Sequence, residues 1–213
     1  MRTNGFFTGI LILMIGSVAT AAQIEPAKVR TLVNQYNAQA LKEYGPAILP
    51  VLVKLYEQSA NEDERGNIAT MFYQLGWKSE EAKRVLMKDV HTQNQLLRLR
   101  VQYALGRVSN DADVVDVLLS NMQNDPNPVF RDKAACALTY DQIHLTEHQK
   151  VRLYEGLIRA LRDPKLQVRQ IALLSLQIRT GQTKGFSANG PEPARESSIK
   201  EWEKWLQEYR SNL

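Results

Sequence analysis

The sequence predicts an all-α fold, a right-handed α-solenoid of stacked helix pairs with a capping helix at each end. Three observations predict it. Asp125 to Leu138 (DPNPVFRDKAACAL) returns at Asp163 to Leu176 (DPKLQVRQIALLSL), with Asp-Pro, Arg, Ala and Leu in the same frame. The frame fits again at Leu97-Arg98 with Val101 and Leu105, and more loosely at Glu64-Arg65 with Ile68 and Phe72. Its arginines, Arg65, Arg98, Arg131 and Arg169, stand 33, 33 and 38 residues apart, a spacing expected of stacked helical repeats. Apolar residues recur at helical spacing throughout, with no useful run of strand-like alternation.

Composition sets the outer bounds. The chain has 213 residues, 44% of them apolar and 23% charged, which suits one packed domain or a short solenoid. The formal charge is +4, too small to argue for a nucleic-acid partner, and none is expected. Cys136 is the single cysteine, so no internal disulfide is available.

In chain order, residues 1–22 read as a cleaved secretory signal. Arg2 gives the positive start, Phe6 to Ile15 a short apolar run, and Ala19-Thr20-Ala21 a small-x-small cleavage pattern. The apolar run is short of the ~20 residues of a membrane span. The sequence therefore predicts an exported protein, periplasmic or secreted, with no integral span after cleavage. Residues 23–44 form one N-terminal capping helix with Val29, Val33, Tyr36 and Ala40 on its apolar face, ended by Gly45-Pro46. Residues 45–181 hold about four pairs. These are Ile48 to Tyr56 with Asp63 to Leu75, Glu80 to Val90 with Gln95 to Val108, Val114 to Met122 with Pro128 to Tyr140, and His148 to Leu161 with Leu166 to Arg179. Residues 182–213 are a Gly/Ser/Pro-rich loop and a final helix, Glu196 to Tyr209. Ile199, Trp202, Trp205, Leu206 and Tyr209 on one side of that helix predict that it covers the last pair.

The chain resembles HEAT-repeat proteins. ILPVLVKLY is similar to the first helix of such a repeat. DPNPVFRDKAACAL and DPKLQVRQIALLSL are similar to the turn and second helix. Ser59 and Thr92 replace the aspartate in the two earlier copies. The C-terminal TGQ, Gly-Phe, Ala-Arg-Glu and paired Trp are similar to the closing module of some bacterial secreted HEAT-repeat proteins. The resemblance implies a scaffold that binds a protein partner on a concave face made by the second helices. Arg100, Gln102, Lys133 and Gln170, lying off the apolar seam, are the expected contact residues. The resemblance is specific for fold and silent on chemistry.

Other candidate sites carry plainer readings. His144-Leu145-Thr146-Glu147-His148 has the H-x-x-E-H spacing of inverted zinc peptidases. Thr146 and Gln149 read as a capping box that starts a helix between the two histidines, which separates them. Cys136 reads as a small helix residue packed inside. The arginines, with Asp125 and Asp163, read as a structural ladder in which each Arg satisfies the turn before it and the Asp six residues back. Between 150 and 184, eight bases face only Glu155 and Asp163. That excess supports an alternative reading, a binder of anionic envelope polymer or lipid. A HEAT-like enzyme, of lyase, glycosylase or zinc-dependent type, is the other alternative. No nucleotide, serine-hydrolase or paired-cysteine motif appears, so the expectation is a non-enzyme without cofactor or metal.

Overall fold

Helix start signals in the sequence are used as written. The computed structural model describes residues 24–141 and 145–213. The signal segment and His144 lie outside them. Eleven α-helices are present among the described residues, with no strand. The core pairs are α3 (Leu49–Gln58) with α4 (Glu62–Leu75), α5 (Glu80–Lys88) with α6 (Gln95–Val108), α7 (Ala112–Asn124) with α8 (Pro128–Cys136), and α9 (Glu147–Ala160) with α10 (Leu166–Thr180). Asn61, Ser79, Asn94 and Asn127 each accept from a backbone N–H in the first turn of the helix that follows, filling donors that a helix start leaves open. Thr146 and Gln149 form a reciprocal capping box at α9. Gly76 and Gly181 close α4 and α10 in the left-handed conformation, at φ 72° and 71°.

The pairs stack into an all-α, HEAT-like solenoid. The second helices form one layer, α4 against α6, α6 against α8 and α8 against α10. The first helices lie behind them, with α3 on α5 and α7 on α9. One continuous core runs from Val29 to Leu206. The α7–α9 approach is close because Gly156 has no side chain. A Cβ there would sit 2.7 Å from a Leu119 methyl and 2.9 Å from the Met122 methyl.

Both ends differ in detail from the sequence expectation. The N-terminal cap is not one helix. α1 (Pro26–Asn34) stops, Tyr36 takes φ 53°, and Asn37 caps a second short helix, α2 (Ala38–Lys42). The Asn37 side chain accepting from the Ala40 N–H is the local reason for the break. Tyr36 is consequently exposed, and Leu41 takes its place in the core. α8 likewise ends early, its last turn widening into a π-turn over Ala137–Asp141. At the C-terminus α11 (Glu192–Ser211) is longer than expected, and it packs on α9 as a further first helix would.

Candidate functional site: the second-helix face

The repeat arginines join consecutive turns. Arg131 donates to the Asp125 carbonyl of its own turn at 2.7 Å, and to both carboxylate oxygens of Asp163, in the following turn, at 2.7 and 3.0 Å. Arg98 pairs with Asp125 and stacks 4.3 Å from the Phe130 ring. Arg65 reaches back to the Ser59 carbonyl and forward to Asp89. The carbonyl half of the sequence expectation has its counterpart here. The carboxylate half is corrected: the aspartate comes from the next repeat, not from six residues back, because a stacked neighbour's turn lies nearer the Arg fork. Asp89 at the end of α5, rather than Thr92, serves Arg65. Asp125 and Asp163 also accept from the N–H two residues on, which holds each turn.

At the last repeat no further Asp follows. Arg169 donates to the Asp163 carbonyl at 2.8 Å and turns its Nε to the Ala188 carbonyl at 2.7 Å. The loop before α11 thus replaces a following turn. α11 replaces the following first helix, with Trp205 and Tyr209 packed edge-on to Tyr154 at 5.1 and 5.4 Å.

Aligning the helices on these arginines sorts the remaining positions. Two residues after each Arg stand Asn67, Arg100, Lys133 and Ile171. Five after stand Thr70, Tyr103, Cys136 and Leu174, and nine after stand Gln74, Arg107, Tyr140 and Ile178. These columns run along the solvent side of the layer, except at buried Ile171, and change from polar in α4, through cationic and aromatic in α6 and α8, to aliphatic in α10.

The four expected contact residues fall into different places. Gln170 is exposed. Lys133 is half-exposed and pairs with Asp132 at 2.9 Å, which holds its ammonium above the usual lysine range. Arg100 lies across Gly66 and donates to Asn67 Oδ1 at 2.6 Å and to the Tyr36 hydroxyl at 3.2 Å. Gln102 is removed from the face, since it is wholly buried. It stands four positions after its Arg, a column otherwise holding Ala69, Ala135 and Leu173, and that column points at the neighbouring helices. Its amide makes no hydrogen bond among the described residues.

Sequence reasoning missed the tyrosines. Tyr73, Tyr103, Cys136 and Tyr140 line an open pocket of about 310 Å³ on this face. The Tyr73 and Tyr103 rings lie 5.7 Å apart at 56°. The Arg107 guanidinium sits 5.1 Å from the Tyr73 ring centre. Burial holds the Tyr103 phenol above its ordinary range, with nearby Lys133 pulling the other way. The available signal was the repeat column itself, which places Tyr103 in register with Cys136 and Arg107 with Tyr140. Cys136 is half-buried at the pocket wall rather than fully inside.

The other candidates have defined surroundings. His148 is exposed in the first turn of α9, with its capping Thr146 before it. Among the described residues no three His, Cys, Asp or Glu side chains converge as a metal site. Most of the bases from 150 to 184 are engaged. Lys150 pairs with Glu147, Arg152 with Asp116, and Arg162 with Glu196 and Glu203 of α11. Arg179 donates to the Leu138 and Thr139 carbonyls. Lys150, Arg152 and Arg162 thus meet carboxylates from outside the segment, while Arg169 and Arg179 meet backbone carbonyls.

Residues 49–139 match the family model described as HEAT repeats, so this stretch of the chain is similar to HEAT repeats. The match takes in α3 to α8. The pair α9–α10 continues the same arginine frame beyond it. A search of curated proteins finds no match to the chain. HEAT repeats generally mediate protein–protein interaction. No helix among the described residues is long and apolar enough to cross a membrane.

Proposed function

We propose that the protein is a non-enzymatic scaffold that docks a protein partner on the concave face of its second helices, and that it works outside the cytoplasm. One observation carries the docking reading. Among the described residues, six of the eight large apolar side chains left exposed belong to this layer, Leu96 of α6, Val129 and Tyr140 of and after α8, and Leu166, Leu174 and Ile178 of α10, with Tyr36 and Leu213 the other two. Apolar surface concentrated on one side marks an interaction site more often than scattered residues do. Arg100, Lys133 and Gln170 lie among them and give the polar contacts that fix register. The signal-like first 22 residues support the location; amino-terminal sequencing of the protein purified from its native host would find a start near Ala22 or Gln23, and a retained Met1 would oppose export.

Site-specific photocrosslinking tests the docking reading. A photoreactive residue placed at Lys133 or Gln170 is expected to capture one protein from a native extract. The same residue at Arg84 or Arg152, on the first helices, is expected to capture none. Equal capture from both layers would refute the assignment of the face.

A further inference from the structure

The pocket between the tyrosines has a composition that points to a particular kind of partner, given the docking reading above. Within their helix bounds, α6, α8 and α10 carry Arg98, Arg100, Arg107, Arg131, Lys133, Arg169 and Arg179, and a single carboxylate, Asp132. The carboxylates of this half of the array sit on the first helices and α11, as with Asp113 and Asp116 of α7 and Glu147 and Glu155 of α9. Ladder aspartates answer Arg98 and Arg131 at the turns. Arg100, Arg107 and Lys133 stand further along the helices, in the columns that flank the pocket. Along α6, α8 and α10 the second-helix face is therefore positive where the first-helix face is mixed. Helix α4 brings Tyr73 at its last turn and carries Glu62, Asp63 and Glu64 in its first. A partner seated beside Arg100, Arg107 and Lys133 must supply negative charge.

Shape narrows the class further. A volume of about 310 Å³ is at the lower end of what a small-molecule site needs. Its walls are three tyrosines and Cys136, which accept a ring or a branched aliphatic group. Tyr and Arg side chains beside one another are the usual makings of a contact that dominates binding. In α10 the matching positions hold exposed Leu174 and Ile178, so apolar contact continues past the pocket.

We propose that this pocket is the anchor subsite for a linear peptide segment. One aromatic or large aliphatic side chain of that segment enters between Tyr73, Tyr103 and Tyr140, and its flanking carboxylates meet Lys133 and Arg107. The Arg107 guanidinium already lies over Tyr73, so a cationic anchor would meet a like charge, and a basic peptide is disfavoured.

The test is selection of a displayed random peptide library on the full chain, followed by anisotropy with fluorescein-labelled copies of the enriched peptides. The enriched peptides are expected to share Phe, Tyr, Trp or Leu with Asp or Glu within two residues. Binding should fall at least tenfold with Tyr140→Ala, and again with Lys133→Glu. Both residues are partly exposed, so melting by circular dichroism should be unchanged. Exchanging the peptide's acids for Lys should abolish binding. Hydrogen–deuterium exchange separates the ways of failing. Peptides that protect α6 and α8 but lack acids, or that ignore both variants, would overturn the anchor and leave the docking reading standing. An absence of selected peptides, with photocrosslinking from Lys133 still capturing a folded protein, would overturn the peptide class alone. Failure of both the selection and the crosslinking would remove both readings.

Discussion

Arg131 shows what a single side chain contributes to this array. Its guanidinium is nearly enclosed, and its donors are shared between the Asp125 carbonyl and the Asp163 carboxylate. Arg131→Ala leaves that carboxylate, itself only 9% exposed, without its counter-ion. Removing one member of a buried pair costs about 3–5 kcal/mol, and urea denaturation should show a loss of that order. Arg131→Lys should recover little of it, because an ammonium does not reproduce the fork. An unchanged unfolding midpoint for Arg131→Ala would contradict the structural role. Gln102 is the opposite case. Its buried amide has no hydrogen-bond partner among the described residues, so it carries a desolvation cost without a compensating bond there. Gln102→Met, similar in shape, should raise stability by about 1 kcal/mol, again read from urea denaturation. A destabilised variant would mean that the amide serves a purpose the contacts do not reveal.

At the scale of elements, the loop and helix after α10 close the open end of a repeat series. Trp202 is wholly buried, and Trp205 and Tyr209 lie against Tyr154 of α9. Arg162 is held by Glu196 and Glu203, and Arg169 by the Ala188 carbonyl. In a solenoid each repeat is stabilised chiefly by its neighbours, so loss of a terminal cap propagates inward. Deleting residues 182–213 should lower the melting temperature of the remaining array and expose α9 and α10 first in hydrogen exchange. Trp202→Ala, which keeps the chain whole, should cost about 3–5 kcal/mol through lost burial and the cavity left behind. A truncated protein that melts as the full chain does would show instead that α11 is a free appendage.

For the whole molecule, titration of its tyrosines gives a global readout. Tyr56, Tyr103, Tyr154 and Tyr209 are all held above the ordinary phenol range, each chiefly by burial. Tyr56 also donates to Asp89 at 2.7 Å, and Tyr209 donates to Glu147, so ionising either would place two negative charges together. A raised folded value means that this stability is fully present below the unfolded phenol pKa of ~10 and is lost as pH rises toward and through the folded values. Absorbance of phenolate at alkaline pH should therefore show these four lagging behind free tyrosine, with unfolding overtaking the titration. Four normal titrations in a still-folded protein would contradict the packing around α9, at the α3–α5 contact and at Tyr103 in the tyrosine pocket.

The sequence by itself determined the helix pairs, their order and most of their boundaries. Those features depend on neighbours in the chain: Asn, Ser and Thr caps, Gly stops and apolar spacing act over a few residues. The likeness to HEAT repeats followed from the recurring DP…R…A…L frame. Only the tertiary structure decided which aspartate Arg65, Arg98 and Arg131 each meet, because that partner lies 24 to 32 residues away in the next turn. It likewise decided that Gln102 is interior while Lys133 is not. The two differ by two places in the same repeat frame, and stacking fixes which of them faces a neighbouring helix. The tyrosine pocket has the same origin, since Tyr73, Tyr103 and Tyr140 belong to three successive repeats and share a wall only after those repeats have stacked.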